Sequence, residues 1–265
     1  MDNTKKIGLA LGSGGVKGLA HLGVIKVLKK NNIPIDYISG CSAGAIVGAY
    51  FALNREVASL EERILSMSSK ELLSLVDLAP PTRALVKGNK LNCFVKELLG
   101  NADFSDLNIP LKIVASDLQT GEEVIFREGR LADAIRASIS IPGIFEPVKH
   151  KDTWLVDGGL VNPTPVDIVE NMGADIVIGV NLTRNPAIRL VKPNIFHTLI
   201  QSFEILRAET VHHRAKKLTK NFVIIEPKFS GEVDTYNFKD FKGFIERGET
   251  AAKKAVPEIK KLLEK

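Results

Sequence analysis

The stretch Ile35-Asp36-Tyr37-Ile38-Ser39-Gly40-Cys41-Ser42-Ala43-Gly44-Ala45-Ile46-Val47-Gly48-Ala49-Tyr50-Phe51-Ala52-Leu53 decides how this chain is read. Residues 35–39 have the composition of a short strand, and residues 45–53 that of a small-residue, buried helix. Between them Gly40-Cys41-Ser42-Ala43-Gly44 is a G-x-S-x-G turn, the form of a nucleophile elbow. A serine on so sharp a strand-to-helix turn is pushed out of the backbone, and Gly40 and Gly44 keep the approach to Ser42 clear. Such pentapeptides also arise by chance, so the weight falls on the rest of the chain.

Outward from the elbow, strand-like and helix-like runs alternate, which predicts a mostly parallel sheet covered by helices. Strands are expected at 7–11, 111–117, 123–126, 154–156, 175–180 and 222–225. Helices are expected at 18–30, 56–75, 91–99, 131–138, 195–218 and 241–263, with a break at Ala79-Pro80-Pro81-Thr82. No repeat, low-complexity tract or linker interrupts the pattern. The expected architecture is one three-layer α/β domain over residues 1–265, with the chemistry within 7–166 and residues 167–265 completing the sheet and helices.

With 265 residues, 45% hydrophobic and 25% charged, the chain has the composition of a globular protein with a sizeable core. Cys41 and Cys93 are the two cysteines, without metal-ligand spacing, so neither a disulfide framework nor a zinc site is indicated. The early apolar run at 7–11 is too short for a leader, and no stretch reaches about 18 apolar residues. A cytoplasmic protein is expected. The net charge of +5 suits anionic lipid, nucleic acid or simple solubility. Zinc-finger spacing and aromatic-basic interleaving are missing, so nucleic acid is not an expected partner. Lys253-Lys254 and Lys260-Lys261 read as a solvated helix face.

A second loop matters for chemistry. Gly12-Ser13-Gly14-Gly15-Val16-Lys17-Gly18 joins the first strand to the first helix and offers backbone N–H groups to something negative. Counted from Gly12, a dinucleotide fingerprint would need glycine where Lys17 stands. A P-loop would need lysine after Gly18, where Leu19 stands. An oxyanion hole is the third possible use and, of the three, alone explains a companion elbow; glycines that serve only tight packing are the alternative. A third segment, Trp154-Leu155-Val156-Asp157-Gly158-Gly159, sets a carboxylate at a strand end, where α/β folds line their crevices. Asp157 there is either a general base for Ser42 or a plain turn former.

A conventional triad would add a histidine. Of His21, His150, His197, His212 and His213, the first lies on a helix, the second in a polar loop and the others in a polar helical stretch. None occupies a strand-end loop downstream of an acid, as the order Ser, Asp, His would require.

A glycine-rich turn ending in a basic residue and glycine, an elbow some 25–30 residues on, and a late Asp-Gly-Gly resemble the patatin-like phospholipases. Ala137-Ser138-Ile139-Ser140-Ile141-Pro142 and Asp157-Gly158-Gly159-Leu160-Val161-Asn162-Pro163-Thr164-Pro165 match as well. The chain is similar to short bacterial-type members related to the neuropathy-target-esterase catalytic domain, most firmly over 7–166. The resemblance implies a serine-aspartate dyad, Ser42 as nucleophile and Asp157 as base, without histidine. It implies an oxyanion hole from the N–H groups of Gly14 and Gly15, with Gly12, Lys17, Gly18, Gly40, Gly44, Gly158 and Gly159 in support. Lys17 would brace the loop or meet an anionic head group. Ser13 departs from the family pattern, which commonly has glycine there.

The implied substrate is a lipid or lipid-like acyl ester, hydrolysed without cofactor or added metal. An aspartate of ordinary acidity is a weak base, so the site is expected to be partly desolvated. A non-catalytic lipid- or protein-binding module and a soluble short-chain esterase or thioesterase are the alternatives. Residues 191–218 mix apolar and basic side chains, and read as a core-packing helix ahead of one in peripheral contact with a membrane.

Overall fold

Both faces of Ile7–Leu11 (β1) are apolar: Leu9 and Leu11 enter one buried cluster, Ala10 another. Successive side chains of a strand point to opposite faces, so β1 needs cover on both sides, the parallel α/β solution. In a computed structural model describing residues 5–80, 84–183, 195–229 and 240–264, β1 pairs in parallel with Tyr37–Cys41 (β2) and Ile176–Val180 (β7). Leu111–Asp117 (β3) extends the sheet in parallel beyond β2, and Asn221–Ile225 (β8) beyond β7. Glu123–Phe126 (β4) and Thr153–Asp157 (β6) pair antiparallel with β3, and Val148–His150 (β5) with β6, completing eight strands.

The larger helical layer holds Ala20–Lys30 (α1), Ala43–Asn54 (α2), Asn89–Leu99 (α5), Leu131–Ser138 (α6) and Phe241–Glu264 (α9), whose Leu22, Phe51, Leu99, Ile135 and Phe244 share the main core. Each such side chain contributes about 1.5–3 kcal/mol on leaving water. On the opposite face Val166–Asn171 (α7) packs Val166 and Val169 onto Ala10 and Val177. Gly8 lets it sit close, since a Cβ there would lie 2.6 Å from that of Val169.

Helices α1 and α9 meet through glycines. A Cβ on Gly23 would stand 2.1 Å from the carbonyl oxygen of Ile245, and one on Gly248 2.0 Å from that of Ala20. Lys26 on α1 also pairs with Glu61 at 2.9 Å and with Glu249 on α9 at 3.0 Å. Exposed pairs of this kind add little, so backbone proximity sets the helix spacing.

Several boundaries differ from the sequence reading. The helix expected over 56–75 is two, Ala58–Leu65 (α3) and Ser69–Ser74 (α4). Ser68 starts the second: its hydroxyl accepts from the Glu71 N–H, and the Glu71 carboxylate accepts from the Ser68 N–H at 2.8 Å. The strand expected at 35–39 runs instead from Tyr37 to Cys41, in register with β1 and β3. His150, assigned to a loop, ends edge strand β5 and packs against Phe126 with ring centroids 5.3 Å apart. Helix α7 was not anticipated.

The long helix Ile195–Ala215 (α8) stops short of residue 218. It buries Glu204 and Val211 while exposing Leu199, Ile205 and Leu206. Pro81, Thr82, the 191–194 stretch and residue 237 lie outside the described residues. Among the described residues no helix is long and apolar enough to cross a membrane.

The glycine contact predicts a destabilised Gly248→Ala. Overpacking typically costs about 1–3 kcal/mol, which for a chain of this size lowers Tm by roughly 2–10 °C. Calorimetry of the variant against wild type measures it.

Candidate active site

The register of β3 brings Ser42 and Asp157 together. Cys41, the last residue of β2, pairs with Val114, and Asp157, the last of β6, pairs with the next residue, Ala115. Strand β4 pairs with residues 113–116, spanning the rungs that meet both β2 and β6. A strand has only two edges, so β2 and β6 share the other one and meet end to end. Ser42 follows directly, 3% exposed, and Asp157 is 4% exposed.

Ser42 turns the chain from β2 into α2 with φ 54° and ψ −121°, a left-handed backbone rare for a side-chain-bearing residue. Gly44 makes the turn feasible: a Cβ there would lie 2.1 Å from the carbonyl oxygen of Leu11. Gly40 is equally constrained, its hypothetical Cβ being 2.7 Å from the Cα of Ala45. The Ser42 N–H donates to the hydroxyl of Ser138 at 2.8 Å, and that hydroxyl donates to the Val114 carbonyl at 2.6 Å. Two residues on, the Ser140 carbonyl accepts from the Asp157 N–H at 2.9 Å. The segment from Ala137 to Pro142 thus ties the elbow to the aspartate strand, a role its sequence did not disclose.

The Asp157 carboxylate accepts from the Gly159 N–H through Oδ1 at 2.7 Å, while buried Oδ2 accepts no formed hydrogen bond from the described residues. Burial pushes the Asp157 pKa above the ordinary carboxylate range. Arg207, the neighbouring Ser42 hydroxyl and the Gly159 N–H partly offset this by favouring the charged form, and Glu204 adds to the rise. The site is therefore desolvated as expected, and its carboxylate is a stronger base than a free one. Gly158 admits the close approach of β3, since a Cβ there would meet the Val114 carbonyl oxygen at 2.3 Å. Cys41 sits beside the pair, and burial together with Asp157 pushes its thiol well above the usual range. It stays protonated and is no rival nucleophile.

The glycine-rich loop closes the site from β1. The Gly12 N–H donates to the Val180 carbonyl, that of Ser13 to Pro163, and that of Lys17 to Gly14. Among the described residues none accepts from the N–H of Gly14 or Gly15. Gly15 has φ 54°, suited to glycine, and a Cβ on Gly18 would lie 2.4 Å from that of Ala43 on α2. Gly15, Val16, Gly18 and Ser42 border a cavity of about 250 Å³ whose other walls include Leu72, Phe94, Phe145 and Phe241. Its lining is almost wholly apolar.

Lys17 is buried, with Nζ 4.0 Å from Glu204 and over the Phe229 ring at 5.8 Å, an arrangement that braces the loop. Desolvation pulls its pKa down, and so does Arg207, while Glu204 opposes both. Sequence reasoning missed Glu204 and Arg207, which pair at 2.7 Å on α8, and Arg207 also donates to the Ser13 hydroxyl. Their i, i+3 spacing was the available signal. His21 is fully buried, its Nε2 2.7 Å from the Gly12 carbonyl oxygen. His212 and His213 are exposed, and the side chain of His197 lies outside the described residues. No described imidazole is hydrogen-bonded to Ser42 or Asp157.

The family model described as patatin-like phospholipase matches residues 9–169. An uncharacterized NTE family protein of Mycobacterium tuberculosis is 35% identical over 196 residues, covering 73% of this chain and 54% of its own length. The neuropathy target esterase sws of Drosophila melanogaster is 33% identical over 181 residues, 66% of this chain and 13% of that protein. The chain spans about half the length of the mycobacterial relative and far less of the other. The crystal structure of VipD from Legionella pneumophila superposes with a TM-score of 0.52 at 14% identity, covering 98% of this chain and 67% of that one. The two share the fold.

His21 makes the glycine loop sensitive to acid. Burial lowers its pKa to about 4, against 6.5 for a free imidazole, with the Gly12 carbonyl opposing. As pH falls below about 6.5 the unfolded chain takes up this proton first, so the contribution is whole above that pH and lost on descent to 4. The difference is on the order of 3 kcal/mol. Denaturant unfolding of wild type from pH 7 to 4 should show that loss, and His21→Gln should lack it.

Proposed function

Because the chain belongs to the patatin-like phospholipase family, we propose that it is a serine hydrolase of lipid-like acyl esters, working through Ser42 and Asp157. One observation carries the reading: a strained serine borders an apolar cavity together with Gly15 of the glycine loop, and a buried carboxylate lies beside that serine.

The acyl chain lies in the cavity, with its ester carbonyl at Ser42. Asp157 takes the hydroxyl proton as Ser42 Oγ bonds to the carbonyl carbon, and the carbonyl oxygen becomes an oxyanion held by the N–H groups of Gly14 and Gly15. The tetrahedral intermediate collapses, the carbon–oxygen bond to the alcohol breaks, and the proton passes from Asp157 to the leaving alkoxide. Water then attacks the acyl-enzyme, Asp157 accepting its proton and returning it to Ser42 as the fatty acid departs. Burial suits Asp157 to this task, because it narrows the gap between its basicity and that of the groups it serves. The exposed Leu199, Ile205 and Leu206 of α8 suit peripheral contact with a lipid surface.

Ser42→Ala should abolish both fluorophosphonate labelling and release of fatty acid from a panel of lysophospholipids and phospholipids. Asp157→Asn should lower kcat/KM by about 10²- to 10⁴-fold. Wild-type kcat/KM should fall as pH drops, with a midpoint above the ordinary aspartate value of about 3.9, because the base must be ionised. Unchanged hydrolysis by purified Ser42→Ala would refute the reading. A preference for water-soluble short-chain esters over micellar lipids would replace the lipid substrate with a small acyl ester.

A further inference from the structure

Helix α8 turns unexpected side chains inward. Glu204 and Arg207 are buried or nearly so, one turn apart, while Ile205 and Leu206 face solvent. Burying an ion pair carries a desolvation penalty, and apolar residues of similar volume often hold a helix as well or better. Packing alone therefore does not explain the pair.

Its surroundings do. Arg207 donates through one terminal nitrogen to the Ser13 hydroxyl and through the other to Glu204 Oε1 at 2.7 Å. On its remaining side, Nε lies 3.0 Å from where a Cβ on Gly159 would stand. The guanidinium thus spans the glycine loop after β1 and the Asp-Gly-Gly turn after β6. Glu204 orients it, and Lys17 faces Glu204 from the same loop.

We propose that Arg207 is a positioning residue for the reaction, its guanidinium clamping Ser13 of the glycine loop against the Asp157–Gly159 turn and so fixing the Gly14 and Gly15 amides relative to Ser42. The inference rests on the serine-hydrolase reading above. It accounts for Ser13 at a place where glycine was expected, since glycine has no hydroxyl to clamp. Arg207 lies outside the residues 9–169 matched by the family model.

The clamp also carries charge. Asp157 is faced by Arg207 and Glu204 from α8, by Cys41 from β2 and by the Ser42 hydroxyl, while Lys17 acts on Glu204 and Arg207. Of these, Arg207 is the cation that favours ionised Asp157. Its removal raises the pH at which the base loses its proton.

The test follows fluorophosphonate labelling of Ser42 from pH 5 to 9 in wild type, Arg207→Gln, Arg207→Lys and Ser13→Gly, with thermal unfolding of each. Arg207→Gln should lower the maximal labelling rate about 10- to 100-fold, leave the half-saturating probe concentration within about twofold, and move the acid limb to higher pH. Arg207→Lys should keep the acid limb but not the rate, because an ammonium keeps the charge without the fork. Ser13→Gly should slow labelling with the limb in place. Wild-type rate and pH profile in Arg207→Gln, or a slowing that merely tracks lost folded protein, would overturn the clamp. If Arg207→Gln does not fold, Ser13→Gly labelling at the wild-type rate overturns it equally. Wild type that fails to label at Ser42 would instead refute the hydrolase reading.

Discussion

A left-handed serine is a strained thing, costing on the order of 1–3 kcal/mol, and it persists only where its surroundings over-determine it. At Ser42 they do so from three directions. Gly44 lets the turn press against the end of β1, the Ser138 hydroxyl captures the Ser42 N–H, and α2 begins at the next residue. None of these could be loosened without letting the serine relax toward an ordinary strand end. The short helix α6, by supplying Ser138, serves this one backbone conformation.

Around that serine a few buried charges act on one another. Asp157 lies beside the elbow under opposing influences, burial and Glu204 favouring its neutral form and Arg207 its charged one. A tight ion pair would pull its pKa down, whereas burial without any cation would push it further up. Arg207 acts on it through charge while donating to Ser13 and Glu204. The cavity contributes in the same sense, because its apolar walls offer water almost no hydrogen-bond partners beside Ser42.

How much of this was legible in the sequence follows from how local each feature is. The elbow, the glycine loop and the Asp-Gly-Gly turn announce themselves because each depends on a few adjacent residues with special backbone needs. The strands at 7–11 and 111–117 and the helix at 131–138 were equally plain, being apolar runs bounded by turn formers. The break before Ser68 was missed because the apolar spacing continues across it while the capping box overrides it. Strand β5 is three residues long and has meaning only beside β6. The inward aim of Glu204 and Arg207 runs against hydrophobic pattern, which would have turned Ile205 and Leu206 to the core. Partners that lie far off along the chain leave no local trace.

Helix α9 locks onto α1 through Gly23 and Gly248, at the very point where the glycine loop's 3₁₀ turn hands over to α1. During synthesis the loop emerges early, but the helix that seats it emerges more than two hundred residues later. Contacts of such long sequence separation form slowly, after their connecting loops have closed. In a nascent chain the Gly15–Leu19 turn is therefore among the first parts made, yet its packing against α9 waits for a segment made more than two hundred residues later.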